Sequence, residues 1–378
     1  MICTTHMFLE VFYLTQVALI PVIIQEFHLS LLEASFVATV PSLASLLTYI
    51  PSGLLADRLS VNHLLFASMT VEGISVLIVS QTNNFWTLVV ALCFTRIASP
   101  LYHTSGLSQI TRIAKREQLS MAIGLHNALG NLGSAAGVVS LAVFLSILSW
   151  RWAYIFWAAP ILIWGVIVLM SSQLKSPQSG KAHIESAVGL RSLSRLFCPA
   201  FLIFLAVVGV RELGSTAIST FMTTYFVKAV SLSESMASLI FGLGPFVGIV
   251  GSLAGGYLGE RAGAKKALSW ITLASAVSLS ILGFVSQLYV LTLVYLVYAF
   301  FSYAVWSPMN TMAADVTPLA ARGLSYGIYF FAEGLIVSLA PVLAAGVIQL
   351  SGIWIVFPFG IAFLVAGVII LQLLRYPK

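Results

Sequence analysis

Charge is what this sequence lacks most. Only 8% of its 378 residues are charged and 60% are hydrophobic. Soluble domains carry about 25% charged residues. So little charge cannot cover a water-facing surface of this size, which excludes an ordinary soluble protein. Cysteine is scarce too. Cys3, Cys93 and Cys198 are too far apart for a disulfide framework or a zinc pattern. The sequence has no GxxxxGK[ST] loop to cradle ATP phosphates, no HExxH and no metal-ligand cluster. No cofactor, metal or enzymatic activity is therefore expected. The net charge of +6 lies in short runs between apolar blocks, with no broad basic face, so nucleic acid is not an expected partner. The first apolar stretch has neither a basic region ahead of it nor a small-residue cleavage site. It is expected to remain as a transmembrane helix.

What is present is a succession of apolar segments. A membrane-spanning helix needs about 20 mostly apolar residues. That ruler predicts twelve spans, centred from near Leu14 to near Phe363. With the N-terminus in the cytoplasm, fourteen of the 18 Lys and Arg residues fall on the cytoplasmic side. Arg151 and Lys228 fall outside, and Arg96 and Arg211 within spans. The positive-inside rule supports this topology, with both termini cytoplasmic. The longest polar stretch, residues 173–197, reads as a cytoplasmic linker with a short amphipathic helix over Ala182–Leu193 as a further option. It separates an N-terminal six-helix bundle (1–172) from a C-terminal one (198–378).

The two halves echo each other. "GLLADRLSVNH" (53–63) follows the second span and "GYLGERAGAKK" (256–266) follows the eighth. Their acids, Asp57 and Glu260, are 203 residues apart. "LSMAIG" (119–124) and "LSYGIY" (324–329) give a second echo, at a separation of 205. Two six-helix units in parallel duplication, joined by a cytoplasmic linker, are a transporter signature.

These features resemble the major facilitator superfamily, whose loop motif reads Gly, three residues, Asp or Glu, Arg, any, Gly, any, basic, basic. The second copy matches at Gly256, Glu260, Arg261, Gly263, Lys265 and Lys266; the first keeps Gly53, Asp57 and Arg58. Ser60 stands for the Gly, and Asn62 and His63 for the two bases. These departures bear on how firmly the first loop latches. The resemblance implies an all-α integral membrane fold of twelve transmembrane helices in two pseudo-symmetric six-helix bundles. A fainter resemblance, to the fosmidomycin-resistance group of drug exporters, rests on "PLYHTSGLSQITRIA" and "GLHNALGNLGSAAG". Gly130, Asn131 and Gly133 match that group's second site, while Thr104 replaces a Pro at its first.

Charges inside spans are costly and are functional candidates by default. Arg211 and Glu212 lie mid-span on the seventh segment, as an anion site with a coupled carboxylate or as a structural ion pair. Arg96 and His103 are seven residues apart, on one face of the fourth span. Arg96 is suited to an anionic substrate or to pairing with Glu10. His103 is read mainly as a packing group. Glu10, one turn after His6, and Glu333 are candidate proton carriers; Glu72 is read as structural. Gly130, Asn131, Gly133 and Gly137 form a small-residue stripe that lets helices approach closely. Asp57 and Glu260 are expected to face helix N-termini of the opposite half, near Gly323 and Leu119 respectively, as latches that close the cytoplasmic side.

The expected function is proton-coupled secondary transport by alternating access. Export of a drug or a small polar or anionic metabolite is the first reading, and uptake of a small organic anion the alternative. A non-transporting receptor or scaffold is the rival from another class. The expected partners are a small-molecule substrate, protons and membrane lipids. The expected form is a monomer in a prokaryotic cytoplasmic membrane.

Overall fold

A computed structural model describes residues 1–171, 199–285, 287–317 and 322–374. Among these residues every regular element is a helix. The linker 173–197, with its optional amphipathic helix, lies outside the described residues. The first half contains α1 (Ile2–Ala18), α2 (Ile20–Glu26), α3 (Leu31–Ala56), α4 (Val61–Ser80), α5 (Phe85–Ile113), α6 (Leu119–Ile147) and α7 (Arg151–Met170). The second contains α8 (Pro199–Lys228), α9 (Glu234–Ala262), α10 (Ala264–Leu282), α11 (Leu288–Ala304), α12 (Trp306–Val316), α13 (Arg322–Ser351) and α14 (Val356–Leu373).

Two breaks account for helices beyond the expected twelve. Proline has no N–H, and its ring clashes with the carbonyl four residues back. Pro21 therefore ends α1, and α2 leaves it at 51°. Pro308 likewise strips the Ala304 carbonyl of its helical partner, and α11 gives way to α12 at Val305. That carbonyl lies where a Cβ on Gly255 would sit, so the break is packed tightly against α9. Ten described helical spans are long and apolar enough to cross a membrane, or eleven with α1 and α2 as one bent span. The remaining segment is α10, 19 residues long, which opens with Lys265 and Lys266 and carries four serines.

The duplication is visible in the backbone. Among the described non-glycine residues, positive φ occurs at His28 (53°) and Ser231 (61°), which are 203 residues apart. Each precedes a serine N-cap: Ser30 accepts from the Glu33 N–H and Ser233 from the Met236 N–H. The caps satisfy donors that a helix start leaves without partners.

Two helix pairs carry most of the contact between the halves, α3 with α13 and α6 with α9. The close approaches again pair by 203. A Cβ on Gly124 would stand 2.9 Å from the Ser252 carbonyl oxygen and 3.6 Å from the Gly256 Cα. A Cβ on Gly327 would stand 2.8 Å from the Tyr49 carbonyl oxygen and 3.4 Å from the Gly53 Cα. Larger residues there would hold the backbones apart. Polar bonds follow α6 and α9 along their length. Asn131 donates to the Gly248 carbonyl (2.9 Å) and to Ser252 Oγ (2.8 Å), and Ser235 donates to the Ala142 carbonyl (3.2 Å). The small-residue stripe has a different partner. A Cβ on Gly133 or Gly137 would collide with the Met7 or Val11 carbonyl of α1, and one on Gly130 with the His6 ring. The stripe therefore packs α6 within its own half, while Asn131 reaches across.

Candidate functional site

Between the halves lies a cavity of about 190 Å³, lined from α1, α3, α5, α6, α12, α13 and Tyr303 of α11. Its N-terminal wall carries titratable groups. Glu10 and His6 are one turn apart on α1, and His103 comes from α5. Glu10 Oε1 is 3.4 Å from both His6 Nε2 and His103 Nε2. All three side chains are mostly buried, at 8%, 16% and 20% exposed for His6, Glu10 and His103.

The His6 ring is held from behind. Its Nδ1 lies 3.0 Å from the His126 carbonyl oxygen. A carbonyl only accepts, so Nδ1 carries the proton and Nε2 of the neutral ring is an acceptor. That acceptor faces the Glu10 carboxylate, another acceptor, and the contact is favourable only with a proton or cation between them. His6 stacks on His126 (centroids 4.0 Å apart) and on Tyr102 (5.3 Å). Tyr102 Oη sits 2.9 Å from the Ile2 carbonyl and 2.8 Å from His126 Nε2. Since the carbonyl accepts the hydroxyl proton, the stack forms one rigid polar layer inside an otherwise apolar bundle.

Arg96 lines the same cavity, with its guanidinium 4.4 Å from the Tyr13 ring centroid. Its Nε is buried with no hydrogen-bond partner among the described residues. A cation–π contact holds the charge, while the fork retains donors for an anion. Behind Arg96 a smaller cleft is shared by Glu10, Gln16 and Glu72. The facing wall, from the C-terminal half, offers Glu333, Phe330, Trp306 and Asn310. Phe330 stacks on Tyr49 of α3 (5.7 Å) and lies 5.7 Å from the His103 ring, so it bridges the two halves.

The structure thus brings Glu10, Arg96, His103 and Glu333 to one cavity and leaves Arg211 and Glu212 out of its lining. Those two neighbours on α8 are buried and ion-paired with each other. The Arg211 Cβ meets α14 at Gly367, where an added Cβ would be 3.1 Å away. Sequence reasoning left His6, His126 and Tyr13 out of the candidate site, though His126 is a titratable group within a span; the structure puts all three in the lining. The i, i+4 spacing of His6 and Glu10 was the available signal. Nothing local ties them to residues some 100 positions on.

The acids of the two loop motifs also have their partners. Asp57 Oδ2 accepts the Leu324 N–H (3.0 Å), and Asp57 Oδ1 the Arg112 guanidinium (2.7 Å). Glu260 Oε1 accepts the Met121 N–H (3.0 Å). Met121 and Leu324 are 203 apart, so the sequence echo at a separation of 205 is two residues out of register. The acids set the register by meeting the free N–H groups of a helix start. Arg58, Arg261 and Lys266 are exposed, and Arg261 lies 5.4 Å over the Tyr257 ring. Lys265 instead donates to the Leu374 (2.7 Å) and Gln372 (3.3 Å) carbonyls at the end of α14.

A family model described as "Major Facilitator Superfamily" matches residues 2–225 and 204–378. The chain is 23% identical to the riboflavin transporter RibZ of Clostridioides difficile (strain 630), over 79% of this chain and 76% of that one. It is 21% identical to the probable nitrate transporter NarT of Staphylococcus carnosus (strain TM300), over 72% of this chain and 69% of that one.

Proposed function

The chain belongs to the major facilitator superfamily, and from that premise we propose that it moves a small organic anion together with a proton by alternating access. That it is a multi-pass membrane protein of a transporter family needs no proposal. The finer reading rests on one observation: Arg96 and the His6–Glu10–His103 cluster share a cavity between the halves. An anion at Arg96 is repelled by an ionised Glu10. A proton on the cluster removes that repulsion, so proton and anion each strengthen the binding of the other, by the same factor. Solutes that bind together are carried together, and an inward proton gradient then drives uptake. The volume agrees with a small solute, since about 190 Å³ is below the roughly 300–1,000 Å³ of pockets for drug-sized ligands. Nitrate in one relative's name is consistent with an anion site.

In this reading Arg96 binds the anion, Glu10 holds the coupling proton with His6 and His103, and Glu333 completes the facing wall. Arg211 and Glu212 fasten α8 to α14. The two six-helix bundles, 1–172 and 198–378, rock about the cavity as a monomer, with both termini in the cytoplasm of a prokaryotic cell. Asp57 and Glu260 hold the cytoplasmic side shut, which favours the outward-facing state.

A second reading, export of a drug or polar metabolite, draws on the aromatic lining of Tyr13, Tyr49, Tyr303, Trp306 and Phe330 and on the fosmidomycin-group resemblance. One assay separates them. The purified chain is placed in liposomes with an acidic exterior, and proton entry is followed as nitrate, organic acids, phosphonates or lipophilic drugs are added. Anion-dependent proton entry that is lost in Glu10→Gln supports symport. Proton entry coupled to drug exit selects export. Binding without flux in either direction sinks both and leaves a receptor.

A further inference from the structure

We infer that His6, Glu10 and His103 form a tetrahedral site for a divalent transition metal, with Zn²⁺ as the best-fitting ion. Zinc takes imidazole nitrogen at about 2.0–2.1 Å and carboxylate oxygen at about 2.0–2.2 Å, and a tetrahedron of such bonds has ligand atoms about 3.4 Å apart. The Glu10 Oε1 to His6 Nε2 and Glu10 Oε1 to His103 Nε2 distances are both 3.4 Å. The three ligand atoms lie within 4.8 Å of one another, which bounds the third edge, between the two imidazole nitrogens.

Three features prepare the site. The His6 Nδ1 contact with the His126 carbonyl leaves Nε2 as the free lone pair, which is the outer-shell arrangement that orients metal-bound histidines. Stacking against His126 fixes the plane of that ring. Tyr102 and Phe330 flank the His103 ring at 5.4 Å and 5.7 Å. All three ligands line the cavity, so an ion can enter, and three protein ligands leave a fourth position open toward the cavity. Arg96 lines the same space. A dication and a guanidinium together suit an anion, such as chloride or a carboxylate, in that position. Two imidazoles and one carboxylate favour zinc or cobalt over magnesium or calcium, which prefer all-oxygen shells. A bound ion occupies the carboxylate oxygen given above to the proton, so the two exclude each other. Ion binding is measured without flux, and its failure leaves the transport reading standing.

The test uses the full-length chain in detergent with any affinity tag removed, titrated with Co²⁺ and then Zn²⁺. The expected result is one Co²⁺ per chain with the intense visible absorption of tetrahedral cobalt, displaced by Zn²⁺. His103→Gln and Glu10→Gln should each weaken binding at least about 10-fold, and His28→Asn, at an exposed turn, should leave it unchanged. Unchanged affinity in both ligand variants, or a weak octahedral spectrum, overturns the site. X-ray absorption on the zinc-loaded wild-type chain needs no variant: two imidazoles in the shell support the assignment, and fewer than two overturn it.

Discussion

The loops at 53–63 and 256–266 are copies of one motif, 203 residues apart, and they reach the same contacts with different residues. The second copy keeps every motif position and the first has lost the second glycine and both bases. In the folded protein the eroded copy is the more strongly tied. Asp57 takes both the Leu324 N–H and the Arg112 guanidinium, whereas Glu260 takes the Met121 N–H. The residue 203 positions after Arg112 is Asp315, an acid that offers Glu260 no counter-ion.

The lost positions are replaced in kind. Lys265 caps the final carbonyls of α14, at Leu374, and 203 residues earlier Asn62 donates to the Ser171 carbonyl at the end of α7 (2.6 Å). An amide and an ammonium both donate, so either ties the loop to the last helix of its half. Gly263 sits at φ +86°, where other residues are strained, while Ser60 takes φ −68° and needs no glycine. Motif preservation and contact strength are separate quantities here. A position can change whenever the backbone or a second donor supplies the same physics.

The largest break in this comparison should come from Asp57→Ala. It removes an ion pair within the first half, with Arg112, and a helix-start contact between the halves, at Leu324, together about 2 kcal/mol of folding stability. Spin labels on the cytoplasmic ends of α3 and α13 should show the inward-open population rising by roughly fivefold, the share of the one bond that crosses the halves. An unchanged distance distribution would refute the latch.

Glu260→Ala, which loses one such bond to a helix start, should shift labels on α6 and α9 by about 1 kcal/mol, or roughly fivefold. Its loss of folding stability should be smaller than that of Asp57→Ala, and equal losses would erase the contrast between the copies. Gly263→Ala has open space around its Cβ, so its cost of about 1 kcal/mol is purely conformational. It should lower the melting temperature where Ser60→Ala lowers it less. Smallest are the caps: Asn62→Ala and Lys265→Ala should each cost about 0.5–1 kcal/mol in chemical denaturation, and Asn62→Lys should recover part of its loss. If Lys265→Ala is silent while Asn62→Ala is not, the two donors are not equivalent.

The site was less legible in the sequence than the loops. Arg96, Glu10, Glu333 and His103 could be singled out because a charged or titratable group in a membrane span is costly wherever it points. Arg211 and Glu212 met the same test, yet they pair with each other away from the cavity. A cost of burial shows that a charge needs a partner without telling which one it has. His6 and His126 gave little local signal, because their importance arises from a stack between α1, α5 and α6.

The sequence by itself determined the membrane as solvent, the division into two related halves, and the acids at their loops. These follow from composition and from short repeated patterns, which act through local chain physics. The tertiary structure alone decided the register of the repeat at the latch, the face each buried charge presents, and the meeting of His6, Glu10 and His103. Each of these depends on how a helix is rotated and slid against neighbours about 100 residues or more away. That choice is made by close packing along the whole length of the helices, at glycines such as Gly133 and Gly137 and at polar contacts such as Asn131, and no single stretch of chain contains it.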